Sequence, residues 1–153
     1  MKSASRIYGV KESKLSQSKG SNRTQWDLPP EIAAARIEAI RTVANLESTR
    51  AVHDVSDGGL LVTLAEMVND DGGIEATVPT ASALFSEAPG RVVVETTDRA
   101  ALEAAVGSAI GVEDLGTATA VGELTVTVEA AAEEIEYDAE TIREFRSTLE
   151  ALG

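Results

Sequence analysis

The chain has 153 residues, a formal net charge of −13, 43% hydrophobic residues, 3% aromatic residues and no cysteine. This length and apolar content suit one globular domain whose core is built from small aliphatic side chains. With no cysteine and one histidine, the composition excludes disulfides, thiolate chemistry and a metal site of paired histidines. No apolar run approaches the length of a membrane span and the N-terminus has no secretory signal, so the expected location is the cytoplasm.

Charge is divided unevenly along the sequence. Residues 1–23 hold six basic residues and one acidic residue, a net of +5, whereas the remainder holds seven basic and 25 acidic residues, a net of −18. The acidic body argues against nucleic-acid binding, because phosphate backbones need cations. It indicates either a halophilic source, in which hydrated carboxylates keep the protein soluble in high salt, or an ordinary acidic cytosolic protein.

The N-terminal residues 1–27 are polar and rich in serine, with no helical or strand period. This composition predicts a flexible basic arm, followed by a domain over residues 28–153. A basic arm that contacts nucleic acid is the alternative interpretation. The domain is expected to begin with a helix from Pro30 to about Leu46, because proline is favoured at the first helical position, and to continue with a short strand over residues 50–53.

A second helix is predicted from about Asp57 to Val68, with Ser56 or Asp57 as its side-chain cap. Gly58 and Gly59 lie in its first turn, where glycine is unfavourable and needs a physical reason. One reason is functional, since a phosphate could reach the free amides at the positive end of the helix where no Cβ atom intervenes. The other is structural, namely tight packing of the helix start on a neighbouring strand.

The rest of the chain alternates between strands and helices, which predicts an α+β (mixed α/β) fold with a mixed β-sheet covered by helices. A left-handed cap is predicted at Gly72 or Gly73, followed by a strand over 73–78 and the apolar run 92–94. The next predicted element is a helix capped by Thr97 or Asp98 and closed by Gly111, which leads into a hairpin of strands 112–121 and 124–128 turning at Gly122-Glu123. A solvated acidic connection over 129–136 and a last helix capped by Asp138 complete the prediction.

Two stretches carry a resemblance to a known family. The first resembles the motif His-Asp-x-Ser-Asp-Gly-Gly-Leu-x-x-x-Leu-Ala-Glu-Met in the C-terminal half of phosphoribosylformylglycinamidine synthase, and it stands here as His53, Asp54, Ser56, Asp57, Gly58, Gly59, Leu60, Leu64, Ala65, Glu66 and Met67. The second, residues 84–91, is similar to the family's Leu-Phe-Ser-Glu-Ser-x-Gly-Arg loop, with Ala88 in place of the second serine and Pro89 after it. The resemblance covers roughly Ile32 to Gly153.

The resemblance implies the fold of the C-terminal domain of aminoimidazole ribonucleotide synthetase. It also implies a part in the ATP- and magnesium-dependent conversion of formylglycinamide ribonucleotide to formylglycinamidine ribonucleotide in purine biosynthesis, with ammonia derived from glutamine. The family's catalytic histidines and most of its ATP and metal ligands lie in N-terminal segments, so this chain alone is not expected to catalyse. The implied partners are other synthetase domains or subunits and a glutaminase subunit, and a homodimer is a further expectation. The alternative function is a noncatalytic binding or interaction module, or a gene remnant, that reuses the fold.

The candidate ligand- or phosphate-binding residues are Ser56, Asp57, Gly58, Gly59, Ser86 and Glu87. Three further residues are assigned to structure or to an interface: His53, Asp54 and Arg91.

Each functional interpretation has a simpler alternative. His53 beside Asp54 is either a base with its orienting group or a histidine hydrogen-bonded into the interior or an interface. Asp54, Asp57 and Glu87 are either magnesium ligands or caps and solvated acids, and no metal site is assigned to them. Arg91 either clamps a phosphate or pairs with a nearby acid. The sequence contains no complete catalytic constellation, so no catalytic residue is assigned.

Overall fold

A mixed seven-stranded sheet forms the centre of the fold. The computed structural model describes residues 4–12, 30–88 and 90–152. The strands are β1 (Arg6–Glu12), β2 (Thr49–Asp54), β3 (Gly73–Val78), β4 (Val92–Thr96), β5 (Ile110–Thr119), β6 (Glu123–Val128) and β7 (Glu133–Asp138). The helices are α1 (Pro30–Ala44), α2 (Gly59–Met67), α3 (Ala81–Phe85), α4 (Arg99–Val106) and α5 (Ala139–Leu152), with a 3₁₀ turn at Glu129–Ala131.

The strand order is β2-β4-β1-β5-β3-β6-β7, and every neighbouring pair is antiparallel except β3 with β6. This confirms the predicted mixed sheet covered by helices. Successive residues of a strand point to opposite faces, and β1 shows it, since Ile7 joins one buried cluster and Tyr8 the other. The cluster of Ile7 also holds side chains from α2, α3 and α5, and the cluster of Tyr8 holds side chains from α1 and α4. The sheet therefore carries a helical layer on each face.

The prediction of a flexible N-terminal arm is wrong for residues 6–12. These residues form β1, which lies inside the sheet between β4 and β5, and Ile7, Tyr8 and Val10 are buried. Because both faces of this strand are covered, it has no alternation of polar and apolar residues, and the usual period-2 signal is missing. The part of the arm prediction that concerns residues 1–3 and 13–27 lies outside the described residues.

The predicted hairpin of residues 112–121 with 124–128 is also wrong. Strand β3 lies between the two strands and pairs antiparallel with β5, where Ile74 faces Ala118, and parallel with β6, where Ile74 faces Leu124. The connection from β5 to β6 crosses the start of β3 so closely that a Cβ atom on Gly73 would overlap the carbonyl oxygens of Val121 and Glu123. Local turn signals could not reveal a strand that comes from 40 or so residues earlier in the chain.

Other boundaries differ from the prediction for local reasons. Helix α2 ends at Met67 with Val68 extended, and neither Gly72 nor Gly73 adopts positive φ, so the expected left-handed cap is absent there. Helix α4 is capped by Asp98 as predicted, but it ends at Gly107 with φ of 72°, not at Gly111. The expected solvated connection over residues 129–136 contains the 3₁₀ turn and most of β7, whose exposed glutamates keep this edge of the sheet charged. No described helix is long and apolar enough to cross a membrane.

The cap of α5 agrees with the prediction and gives a test of the fold. The backbone N–H of Thr141 donates to Asp138 Oδ1 at 2.7 Å, and hydrogen bonds from Thr141 hold the pKa of Asp138 below its ordinary value. A lowered pKa in the folded state stabilises the protein above the unfolded pKa, and this stabilisation is lost as the pH falls through the folded pKa.

We therefore expect Asp138→Ala to lower the thermal midpoint at about pH 7. This difference from the unchanged protein should narrow as the pH falls from about 5 to about 2, through the lowered pKa of Asp138. Asp138→Asn is the matched control, because asparagine caps as well as aspartate but does not titrate; it should keep most of the stability with a weaker pH dependence. Circular dichroism melts over this pH range measure both effects. A deficit of Asp138→Ala that stays constant with pH would contradict the assignment.

Candidate functional site

The two stretches that resemble the family motifs meet at one end of the β2–β4 pair. His53 and Asp54 of β2 face Val93 and Val92 of β4, and the ladder continues where Val55 N–H donates to the carbonyl oxygen of Arg91 at 2.9 Å. Since β2 and β4 are antiparallel, the end of β2 lies beside the start of β4. The segment after β2 leads into α2, and the segment before β4 comes from α3. The start of α2, with its neighbours from both segments, is called the helix mouth below.

The side chain of Glu87 accepts a hydrogen bond from a backbone amide at the helix mouth. Gly58 N–H donates to Glu87 Oε1 at 2.8 Å, which links the two motif segments directly. Gly58 is the N-cap residue with φ of 86° and no side chain caps the helix, so the expected cap by Ser56 or Asp57 is wrong. Ser56, Asp57 and Glu87 are exposed, while Ser86 is half-buried. A carboxylate of the chain itself thus takes the place that an external anion would occupy.

Gly59 is required by packing. A Cβ atom there would lie 2.7 Å from the carbonyl oxygen of Leu84 and 2.9 Å from Cα of Phe85, and no real Cβ atom comes that close to backbone. The second of the two proposed reasons for glycine therefore holds for this residue, although the neighbour is the end of α3 and not a strand. At Gly58, a Cβ atom would overlap the side chain of Val62, and the positive φ adds backbone strain for any other residue.

His53 is held by acceptors on both sides of its ring. Its Nε2 lies 3.1 Å from Glu66 Oε2 on α2, and its Nδ1 lies 2.9 Å from the backbone oxygen of Asp54. The carboxylate of Asp54 is more distant, at 3.9 Å from Nδ1, and it is exposed. Thr63 strengthens the same junction, because its buried hydroxyl donates to the backbone oxygens of Gly59 and Asp54 at 3.1 and 3.3 Å. His53 therefore connects β2 to α2 through Glu66.

In the described part of the chain, Arg91 contacts backbone and forms no ion pair with an acid. Its Nη1 donates to the carbonyl oxygen of Ser86 at 3.4 Å, a long hydrogen bond that spans the loop before β4. Among the described residues, no group of three or more acids, histidines or cysteines is placed to hold a metal ion. Asp54, Asp57 and Glu87 are thus brought to one end of the sheet without forming a metal centre within this part of the chain.

Two apolar side chains beside the helix mouth were not predicted. Phe85 is 61% exposed and Val62 is 41% exposed, and they flank Gly59 and Gly58 respectively. The signal for Val62 is in the sequence, since it is an apolar residue off the buried stripe of Leu60 and Leu64 and so must point outward from α2. We refer to Val62, Phe85, Asp57 and Glu87 together as the mouth patch.

The sequence is similar to known proteins over most of its length. The profile of the family described as AIR synthase related protein, C-terminal domain, matches residues 11–129. Phosphoribosylformylglycinamidine synthase subunit PurL of Halobacterium salinarum is 52% identical over 120 residues, which are 78% of this chain and 17% of that protein. PurL of Halorubrum lacusprofundi is 43% identical over 138 residues, 89% of this chain and 18% of that protein. Both relatives are from halophilic organisms, in agreement with the expectation from the acidic composition.

Two solved structures share the fold. The structure of PurLQS from Thermotoga maritima matches with a TM-score of 0.67 at 14% identity, covering 92% of this chain and 26% of that one. The structure of T. maritima PurL complexed with FGAR matches with a TM-score of 0.63 at 15% identity, covering 92% of this chain and 28% of that one. At such low identity these matches establish the shared fold alone, and the chain spans about a quarter of each.

The packing role of Gly59 can be separated from its backbone strain by a matched pair of substitutions. Gly59 and Gly107 have nearly the same φ, 73° and 72°, but no atom of the described residues lies within 4 Å of a Cβ atom built on Gly107. With ψ of 179°, Gly107 is in a backbone region that essentially only glycine adopts, so we expect Gly107→Ala to lower the free energy of unfolding by about 1–3 kcal/mol through strain alone. Gly59→Ala should lower it by about 1–3 kcal/mol more, because α3 must move away. Urea unfolding measures both, and equal losses would contradict the packing role.

Proposed function

The chain belongs to the AIR synthase related protein family, whose C-terminal domain it matches over residues 11–129, and from this premise we propose that it is the C-terminal domain of a phosphoribosylformylglycinamidine synthase. The synthase reaction converts formylglycinamide ribonucleotide to formylglycinamidine ribonucleotide with ATP, magnesium and glutamine-derived ammonia. The observation that carries the proposal is the 52% identity with the PurL subunit of H. salinarum over 120 residues.

In this proposal the chain acts as one part of the assembly, together with other synthetase domains and a glutaminase subunit. Its matched residues span 17% of the H. salinarum relative, so most of that protein lies outside the similarity. Within the described residues, the helix mouth already has its amide bonded to Glu87, and no metal centre is built. In this proposal the domain contributes a surface around the helix mouth to a larger site that it shares with the other domains.

We propose that residues 56–59 and 86–87 bind phosphate, on the condition that Glu87 first releases the backbone amide of Gly58. An incoming phosphate can accept from Gly58 N–H only after Glu87 leaves, and the exposed carboxylate of Asp57 adds repulsion. ATP or ADP with magnesium would thus bind the isolated chain weakly. Magnesium would reach the site with the nucleotide, since this cation is usually held by substrate phosphates and one or two carboxylates.

A domain exchange tests the proposed function. We expect H. salinarum PurL whose 120 matched residues are replaced by those of this chain to restore growth without purines in a strain that lacks its own PurL. The same exchange with residues of the H. lacusprofundi relative is the positive control, and deletion of the matched residues is the negative control. If the positive control grows and the exchanged protein accumulates without supporting growth, the proposal is wrong.

A nucleotide titration tests whether Glu87 competes with phosphate for the amide of Gly58. We expect Glu87→Ala to bind ADP with magnesium about tenfold more tightly than the unchanged chain, because a charge-assisted hydrogen bond no longer competes for Gly58 N–H. Glu140→Ala, which removes an exposed glutamate from α5, should leave the affinity unchanged. Isothermal titration calorimetry gives both dissociation constants. Equal affinities of Glu87→Ala and the unchanged chain would show that the amide of Gly58 is not the phosphate contact.

A further inference from the structure

The mouth patch combines exposed apolar and acidic side chains in one small area. Phe85 and Val62 are among the large apolar side chains that the described part of the chain exposes, at 61% and 41%. The side chain of Val62 lies against Gly58 and the backbone of Phe85 lies against Gly59, so both residues belong to the same end of α2. An exposed aromatic side chain with apolar neighbours is typical of the centre of a protein–protein contact.

The charges of the patch select the chemistry of the partner. Asp57 and Glu87 are exposed, and neither has an ion-pair partner among the described residues. Two arginines lie at the far end of the loop: Arg91 is half-buried and donates to backbone, and the guanidinium of the half-buried Arg36 lies against Gly90. The exposed carboxylates of Asp57 and Glu87 themselves disfavour an anionic partner such as nucleic acid. A second copy of this chain is disfavoured for the same reason, because it carries a net charge of −13.

The carboxylate of Glu87 is held in position by a hydrogen bond and can accept a cation through its second oxygen. Its Oε1 accepts from Gly58 N–H at 2.8 Å, which holds the carboxylate at the start of α2, while Oε2 has no hydrogen bond with any described residue. Holding a side chain in place before binding lowers the entropy lost on association. An arginine fits this arrangement best, because its planar guanidinium can donate to a carboxylate and stack on an aromatic ring at the same time.

We propose that the mouth patch docks an arginine-bearing, otherwise apolar protein surface supplied by the rest of the synthetase. The guanidinium pairs with Glu87 and lies over Phe85, and Val62 packs beside it. This inference rests on the proposed function and names the surface through which the domain joins its assembly. The patch is the centre of a larger contact, since stable interfaces bury about 800 Å² on each partner.

The test compares two patch variants with two matched controls. The probe is H. salinarum PurL without its 120 matched residues, and binding of this chain to it is measured by biolayer interferometry in KCl on the order of 1 M. Phe85→Ser should weaken binding about 10- to 100-fold and Glu87→Gln about tenfold. Phe145→Ser removes an aromatic ring of similar exposure, 59%, from α5, and Glu140→Gln removes a charge there; both should change affinity less than about twofold.

Salt dependence separates the ion pair from the apolar contact. Raising the KCl concentration should weaken binding of the unchanged chain more than binding of Glu87→Gln, because the charged pair is screened. The inference is overturned if Phe85→Ser and Glu87→Gln both bind the probe with the affinity of the unchanged chain. It is also overturned if Phe145→Ser loses as much affinity as Phe85→Ser. A homodimer that Phe85→Ser dissolves also overturns it, because the occupant would then be a second copy. Circular dichroism melts confirm that all four variants are folded.

The failure of this inference is distinguishable from failure of the proposed function. If the exchanged PurL supports growth and the patch variants bind normally, the inference alone is wrong. If the exchanged PurL fails while its positive control grows, the proposed function is wrong. If the probe does not bind in solution, amide hydrogen exchange is measured on the exchanged PurL. Protection of residues 56–62 and 84–88 relative to the isolated chain supports the docking surface, and the absence of this protection overturns the inference.

Discussion

The backbone of Leu84 and Phe85 passes through the space that a side chain on residue 59 would fill. This close approach joins the start of α2 to the end of α3, and it fixes the positions of the residues that follow. Leu84 turns into the core with no exposed surface, so Phe85, the next residue, faces outward. Two residues later, Glu87 reaches the amide of Gly58. The close contact at Gly59 therefore brings the two segments that form the helix mouth together.

Local patterns in the sequence predicted several features that depend on neighbouring residues. The alternation over residues 73–78 predicted β3 with its buried face of Ile74, Ala76 and Val78. A cap at Thr97 or Asp98 and a cap at Asp138 were also predicted, and Asp98 and Asp138 cap α4 and α5. These features arise from periodicity and from hydrogen bonds that span three residues, which any single stretch of sequence reveals.

Features that depend on distant contacts could not be predicted in this way. Strand β1 is buried on both faces and so lacks alternation, and the insertion of β3 between β5 and β6 depends on pairings between segments far apart in the chain. At the helix mouth, the pair Gly58-Gly59 left two interpretations open because both need the absence of a Cβ atom. Only the positions of Leu84 and Val62 show that each glycine has a packing neighbour.

The two proposals for the helix mouth are coupled through Glu87. An arginine that pairs with Glu87 Oε2 leaves Oε1 bonded to Gly58 N–H, whereas a phosphate at that amide must displace the carboxylate. If both proposals hold, docking through Glu87 and phosphate binding at Gly58 therefore oppose each other, and by thermodynamic linkage each lowers the affinity of the other by the same factor. In the isolated chain the exposed amide of Gly58 already has an acceptor in Glu87. Under the proposed function, the other domains of the assembly therefore have to supply the interactions that displace Glu87 when a phosphate binds.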